Sequence, residues 1–110
     1  MRQRVAFLRT LLAGKEVLLL DEPFGALDAI TRAELQEWLA RALDAEPRTV
    51  LLVTHDVEEA LLVCARVLVL AAGRVAVELE VDVPRGAPRR EVVTSPAFVE
   101  LRQRALEAIE

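Results

Sequence analysis

The sequence has no tyrosine, a single cysteine, and only 4% aromatic residues. One cysteine excludes an intrachain disulfide. Cys64 lies in the apolar run "LLVCA" and reads as a small buried hydrophobe, in keeping with a reducing compartment. No apolar run approaches the roughly 20 residues of a membrane span. The basic start "MRQRVAFLRTLLAGK" has too short an apolar part, broken by Arg9, to read as a signal peptide. Positive charge is not in excess either. The formal net charge is −4, so the broad positive field of a nucleic-acid binder is missing and no nucleic-acid partner is expected. Internal repeats and low-complexity segments are absent as well.

What is present suits one small globular domain. The chain has 110 residues, and 54% of them are hydrophobic, mostly aliphatic. That composition fits an α/β or α protein and argues against a disordered one. "RQRVAFLRTLLA" has Val5, Leu8, Leu11 and Leu12 at helical spacing and stops at Gly14. "EVLLL" has no polar alternation and reads as a strand buried on both faces. "DEPFGALDAIT" is turn chemistry, with Asp28 or Thr31 as a helix cap. "RAELQEWLARALDA" predicts a helix with Leu35, Trp38, Leu39, Ala42 and Leu43 inward, broken at Pro47. "TVLLVT" is a second apolar strand, followed by His55 and a helix that Asp56 can cap. "RVLVLAAGRVAVELEV" reads as a hairpin about Ala72-Gly73. "DVPRGAPRREVVTSP" reads as a linker or surface loop, and "PAFVELRQRALEAIE" as a closing amphipathic helix with Pro96 in its first turn.

Strands that alternate with helices imply parallel pairing with right-handed crossovers. If "EVLLL" and "TVLLVT" are parallel neighbours, their C-terminal ends lie on one sheet edge, where ligands of open α/β sheets bind. Asp21, Glu22 and His55 would then converge although they are far apart in sequence. An Asp at a strand end is the arrangement P-loop ATPases use to hold Mg²⁺, whose shell wants hard oxygens. A neighbouring Glu can polarise water as a general base. An imidazole from the next strand can make a reversible hydrogen bond to the water or to a phosphate. Taken singly these features are ordinary, since most Asp-Glu pairs after strands are solvated turns and most lone histidines are structural. Their joint occurrence in this order is not.

"VLLLDEPFGALD" resembles the Walker B segment and D-loop of an ABC transporter ATPase, "LLVTHDVEEAL" its switch-histidine segment, and "RQRVAFLRTLLAGKEVLLLDEP" the helix between its signature motif and Walker B. The likeness runs from Arg2 to about Val83. The tail more loosely resembles importer ATPases of the nitrate, sulfonate and taurine class, and "PFGALD" is also importer-like. The resemblance implies an α/β fold with a P-loop NTPase-like parallel sheet, a C-terminal hairpin and a helix. It implies that Asp21 holds Mg²⁺, through water, that Glu22 is the catalytic carboxylate and His55 the switch histidine, and that Asp28 is the D-loop aspartate at a dimer interface. Gln3 and Arg4 would follow the signature, and Phe24 and Gly25 would shape the turn after Walker B. Implied with these are ATP and Mg²⁺ as cofactors, a second ATPase subunit in a homodimer, a membrane permease and, indirectly, a solute-binding protein. The implied location is peripheral, on the cytoplasmic face of the membrane.

The likeness breaks at known places. The chain contains no G-x-x-x-x-G-K-S/T, no Q-loop glutamine and no "LSGG". Met1 falls just after the place of that signature, so the chain is expected to be the C-terminal half of a nucleotide-binding domain. Residues 1–83 would be the partial ATPase domain and 84–110 a linker and helix. Ala65 stands where the family commonly has Asp, and Phe7-Leu8 replaces smaller residues. Most phosphate contacts in such ATPases come from the P-loop and its Lys. The chain alone is therefore expected to bind ATP weakly or not at all, to hydrolyse none, and to leave an apolar sheet face exposed. Two other functions compete: a non-catalytic half-domain that binds or regulates a full-length ATPase, and a chromosome or DNA-repair ATPase with a similar "DEP...LD" segment.

Overall fold

The computed structural model describes residues 17–45, 49–83 and 87–109. The helix expected over "RQRVAFLRTLLA", the break at Pro47, and Gln3 and Arg4 lie outside them. The element order is β1 (Val17–Asp21), α1 (Ala29–Ala45), β2 (Thr49–Val53), α2 (Val57–Val63), β3 (Arg66–Ala71), β4 (Arg74–Glu80), α3 (Arg89–Val93) and α4 (Pro96–Ile109).

β1 and β2 pair in parallel, with Val17 opposite Thr49 and Asp21 opposite Val53. The crossover between them is α1, the connection a parallel pair requires. Alternation along β1 buries Leu18 and Leu20 and exposes Val17, Leu19 and Asp21. The expectation of burial on both faces is thus corrected. Leu19 is 68% exposed and its register partner Leu51 61%. Among the described residues Leu18 and Leu20 are buried on one side of the pair, and Val17, Leu19, Leu51 and Val53 form an exposed apolar stripe on the other.

β3 and β4 are antiparallel, joined by Ala72 and Gly73. Both joining residues have positive φ (54° and 76°), the geometry of a type I′ turn whose twist matches the flanking strands. The register slips between Val69 and Leu70, a local bulge.

The core gathers around α2. Leu61, Leu62 and Val63 meet Leu35 and Leu39 of α1, Phe98, Leu101 and Ala105 of α4, and Val69 and Leu79 of the antiparallel pair. On α1, Leu35 and Leu39 are buried as the spacing predicts, while Trp38, Ala42 and Leu43 are half-buried. Gln36 is also buried, which the pattern did not announce. Cys64 is half-buried and closes α2, its N–H donating to the carbonyl of Ala60 at 3.0 Å. The stretch read as a linker contains α3, whose Val92 is buried, and Glu91 N–H donates to the carbonyl of Pro88 at 2.9 Å. A helix of one turn carries no periodicity for a sequence reading to find. At α4, Ser95 caps the start by accepting from Phe98 N–H at 3.3 Å, with Pro96 as the first helical residue. Among the described residues no helix is long and apolar enough to cross a membrane.

Candidate functional site

β1 ends at Asp21, and the next residue turns out of the strand without leaving β2. The N–H of Glu22 donates to the carbonyl of Val53 at 2.8 Å, so the ladder runs one residue past the strand. Glu22 then takes φ 48°, the left-handed region, which costs a non-glycine residue about 1–2 kcal/mol. The turn around it offsets that strain. Its carbonyl accepts from Gly25 N–H at 3.2 Å, and Phe24 is fully buried in the core. Arg32 of α1 straps the turn from outside, Nε donating to the carbonyl of Phe24 at 3.3 Å and Nη2 to that of Leu27 at 2.8 Å.

The second strand end is built differently. Asp56 N–H donates to Oγ1 of Thr54 at 3.0 Å, and the Asp56 carboxylate caps α2 by accepting from Glu59 N–H at 3.3 Å. His55 is held between that strand end and that capped helix. Its Nδ1 donates to Oε1 of Glu22, across the two strand ends. The His55 side chain is 94% exposed and that of Glu22 42%, so the pair stands at an open edge.

The structure therefore brings Glu22 and His55 together and sets Asp21 beside them on the exposed face of β1. Asp28 stands apart as the cap of α1. Its carboxylate accepts from the N–H of Thr31 at 2.8 Å and from the Thr31 hydroxyl at 3.1 Å, and its carbonyl accepts from Arg32 N–H at 2.9 Å. The Thr31 N–H, and then its hydroxyl, hold the Asp28 carboxyl below the usual carboxylate range.

Among the described residues no three His, Cys, Asp or Glu side chains gather to hold a metal. That still suits Mg²⁺, which is usually held by one or two carboxylates with water and phosphate filling the rest of its shell. Asp21 offers hard oxygens of that kind. A glycine-rich cradle for phosphates is not among the described residues.

One group of residues escaped the sequence reading. Gln36 and Glu59 are both buried and bonded to each other at 3.1 Å, and Arg89 bonds to Gln36 and to Glu58, the neighbour of Glu59. The signal was available: Gln36 shares a helical stripe with Leu39 and Ala40, and Glu59 shares one with Leu62 and Val63.

No protein-family model matches the chain. Individual proteins do. An aliphatic sulfonates import ATP-binding protein of Rhodococcus jostii is 58% identical over 88 residues, 80% of this chain and 35% of that protein. A bicarbonate transport ATP-binding protein of Synechocystis sp. is 49% identical over 105 residues, covering 93% of this chain and 16% of its own length. A nitrate import ATP-binding protein of Synechococcus elongatus is 46% identical over 110 residues, 97% of this chain and 40% of that protein. The chain spans less than half the length of each of these relatives. Identity of this order over most of the chain bears out the resemblance to the ATP-binding subunits of ABC importers, of which the chain matches a part.

Proposed function

We propose that the chain supplies the hydrolytic edge of the nucleotide site in an importer's ATP-binding subunit. The observation that carries this reading is the bond from His55 Nδ1 to Glu22 Oε1, made between residues 33 apart in sequence. Glu22 is the general base that polarises the attacking water. The locked turn holds its carboxylate in place before any ligand arrives, so little reorganisation is left to the reaction. His55 orients that carboxylate and, through its reversible hydrogen bond, senses the terminal phosphate. Asp21 holds Mg²⁺, through water. When bound, Mg²⁺ neutralises charge on the phosphate oxygens. Asp28 belongs to the interface with a second ATPase subunit.

The remaining parts follow the relatives. A membrane permease is the partner that turns hydrolysis into uptake, with a solute-binding protein upstream, and the subunit lies on the cytoplasmic face of the membrane. Their names speak of sulfonates, bicarbonate and nitrate, and small oxyanions are the solute class proposed here. These 110 residues alone hydrolyse no ATP, because the phosphate cradle has to be supplied with them.

The test weighs the native product from cells and assays Mg²⁺-dependent ATP hydrolysis. It compares that product, its Glu22→Gln variant and the 110-residue chain alone. Hydrolysis by the intact product, lost in the variant and absent from the short chain, is the expected result. Hydrolysis that survives Glu22→Gln overturns the role of Glu22, and hydrolysis by the short chain overturns the need for a supplied cradle. The bare stripe Val17, Leu19, Leu51 and Val53 favours one alternative, a non-catalytic half-domain that docks on a full-length ATPase. A native product with the mass of these 110 residues and no hydrolysis would select that alternative.

A further inference from the structure

The helices carry a polar network that the proposed chemistry does not use. Gln36 of α1 is 1% exposed and Glu59 of α2 is 2%, with Nε2 of Gln36 donating to Oε1 of Glu59 at 3.1 Å. A buried amide–carboxylate pair is costly while its other hydrogen-bonding valences stay empty. Arg89, the first residue of α3, supplies a donor. Its Nη1 donates to Oε1 of Gln36 at 2.9 Å, its Nη2 to Oε2 of Glu58 at 2.8 Å, and its backbone N–H to Oε1 of Glu37 at 2.9 Å. One residue of the C-terminal segment thus grips α1 and α2 together. The planar fork of a guanidinium can hold an amide oxygen and a carboxylate at once, and an ammonium holds them less well.

The place of that grip connects it to the site. Glu58 lies in the first turn of α2, directly after His55 and the cap Asp56. α2 is a short helix, Val57–Val63, so a shift in its first turn is a shift in the backbone that carries His55. That first turn is tied toward the strand by Asp56 and toward the C-terminal segment by Arg89. Arg102 of α4 reaches the other oxygen of Glu58 only at 3.6 Å and is half exposed. We propose that Arg89 is a positioning residue for the His55–Glu22 pair, acting through Glu58 and Gln36. The C-terminal segment thereby sets the approach of the imidazole to the carboxylate. The functional weight of this inference rests on reading Glu22 and His55 as the hydrolytic pair, but the pairing itself is measurable without nucleotide.

His55 is the only histidine of the 110 residues, so ¹⁵N-histidine labelling gives one imidazole signal set. It can be read in the full chain in solution, or by magic-angle spinning if the chain associates. The wild type is expected to show Nδ1–H in a hydrogen bond. Arg89→Ala should move the Nδ1 resonance to the position of a solvent-bonded imidazole, and Arg89→Lys should leave it part-way. Arg102→Ala, which removes only the longer contact, should leave it in place. A purely structural role predicts something else: Arg89→Ala and Arg89→Lys lower the melting midpoint while the Nδ1 signal stays at its wild-type position. That result overturns the proposal. If Arg89→Ala does not fold, Arg89→Lys and Glu58→Gln decide by the same signal. Should Glu22→Gln leave hydrolysis intact, the hydrolytic reading fails while the response of Nδ1 to Arg89 still stands or falls by itself.

Discussion

Among the described residues two turns hold a non-glycine residue in the left-handed region, and they do so for different reasons. Ala72, after β3, has φ 54°, and Glu22, after β1, has φ 48°. At Ala72 the conformation is what a two-residue type I′ connection demands. Ala72 is exposed, and a side chain added at the neighbouring Gly73 would meet nothing within 4 Å. Glycine or asparagine would serve there better than alanine. At Glu22 the backbone is clamped by Val53, Gly25 and the buried Phe24, and the side chain that bears the strain is bonded to His55. Backbone strain alone therefore does not mark a site. Strain does so when it delivers a reactive side chain to a partner on another element.

The largest expected effect breaks the two turns apart by activity. On the role proposed for Glu22, Glu22→Gln should lower the rate of ATP hydrolysis by the native product by about 10²–10⁴, the usual worth of a general base. Substitution at Ala72 should leave that rate unchanged. Single-turnover assays on the two variants read the difference directly. A Glu22→Gln enzyme with its rate intact would reduce Glu22 to the status of Ala72, a strained residue in a plain turn.

The clamp itself is tested by Phe24→Ala. Phe24 is fully buried and holds the middle of the turn in the core. Its truncation should cost about 3–5 kcal/mol, a large share of the stability of any small domain. A urea titration measures it. A change of under about 1 kcal/mol, as at a surface position, would mean that Phe24 does not anchor the Glu22 turn.

Ala72→Gly sharpens the comparison from the other side. Relief of about 1–2 kcal/mol of left-handed strain is partly offset by the roughly 0.5–1 kcal/mol of extra chain entropy that glycine loses on folding. The net gain should be about 0.5–1 kcal/mol, visible as a raised unfolding midpoint. A lowered midpoint would show that the alanine methyl makes a contact worth more than the strain.

The legibility of the sequence follows the same division. Where side-chain chemistry and spacing agree, the residues alone located the strand ends. "VLLLDEP" and "LLVTHD" gave the parallel pair and the meeting of Glu22 with His55, because apolar runs of strand length that stop at polar residues admit few alternatives. Asp56, and Asp28 as one of two candidates with Thr31, were legible as caps for a local reason, a short acceptor three residues before a free N–H. Burial was less legible. A run of apolar residues such as Val17–Leu20 does not say whether one or two layers will cover it, and here Leu19 faces outward. The helix α3 and the Arg89 network were hidden because a five-residue helix has no period. A buried Gln–Glu pair also looks, in sequence, like two surface residues.

The smallest effect concerns the far end of the Glu22 turn, where Asp28 caps α1. The Asp28 carboxyl is held below the usual carboxylate range by the N–H and then the hydroxyl of Thr31. A depressed value in the folded state means the charged cap stabilises. That contribution is fully present above the unfolded carboxylate value and is lost as pH falls through the folded one. Acid should therefore loosen the start of α1 through Asp28. Asp28→Asn, still a good cap but without a charge to lose, should flatten this part of the acid dependence while retaining helix at neutral pH. Thr31→Val removes the hydroxyl and leaves the N–H, so it should narrow the acid window without closing it. Circular dichroism across the acid range, with the Nδ1 signal of His55 recorded at neutral pH in Asp28→Ala, which removes the cap without acid, separates two views of the turn. If the His55 signal moves with the loss of the Asp28 cap, the clamp on Glu22 extends through Leu27 and Arg32 into α1. If helix is lost at its start and His55 stays in place, Val53, Gly25 and Phe24 hold the strained residue by themselves.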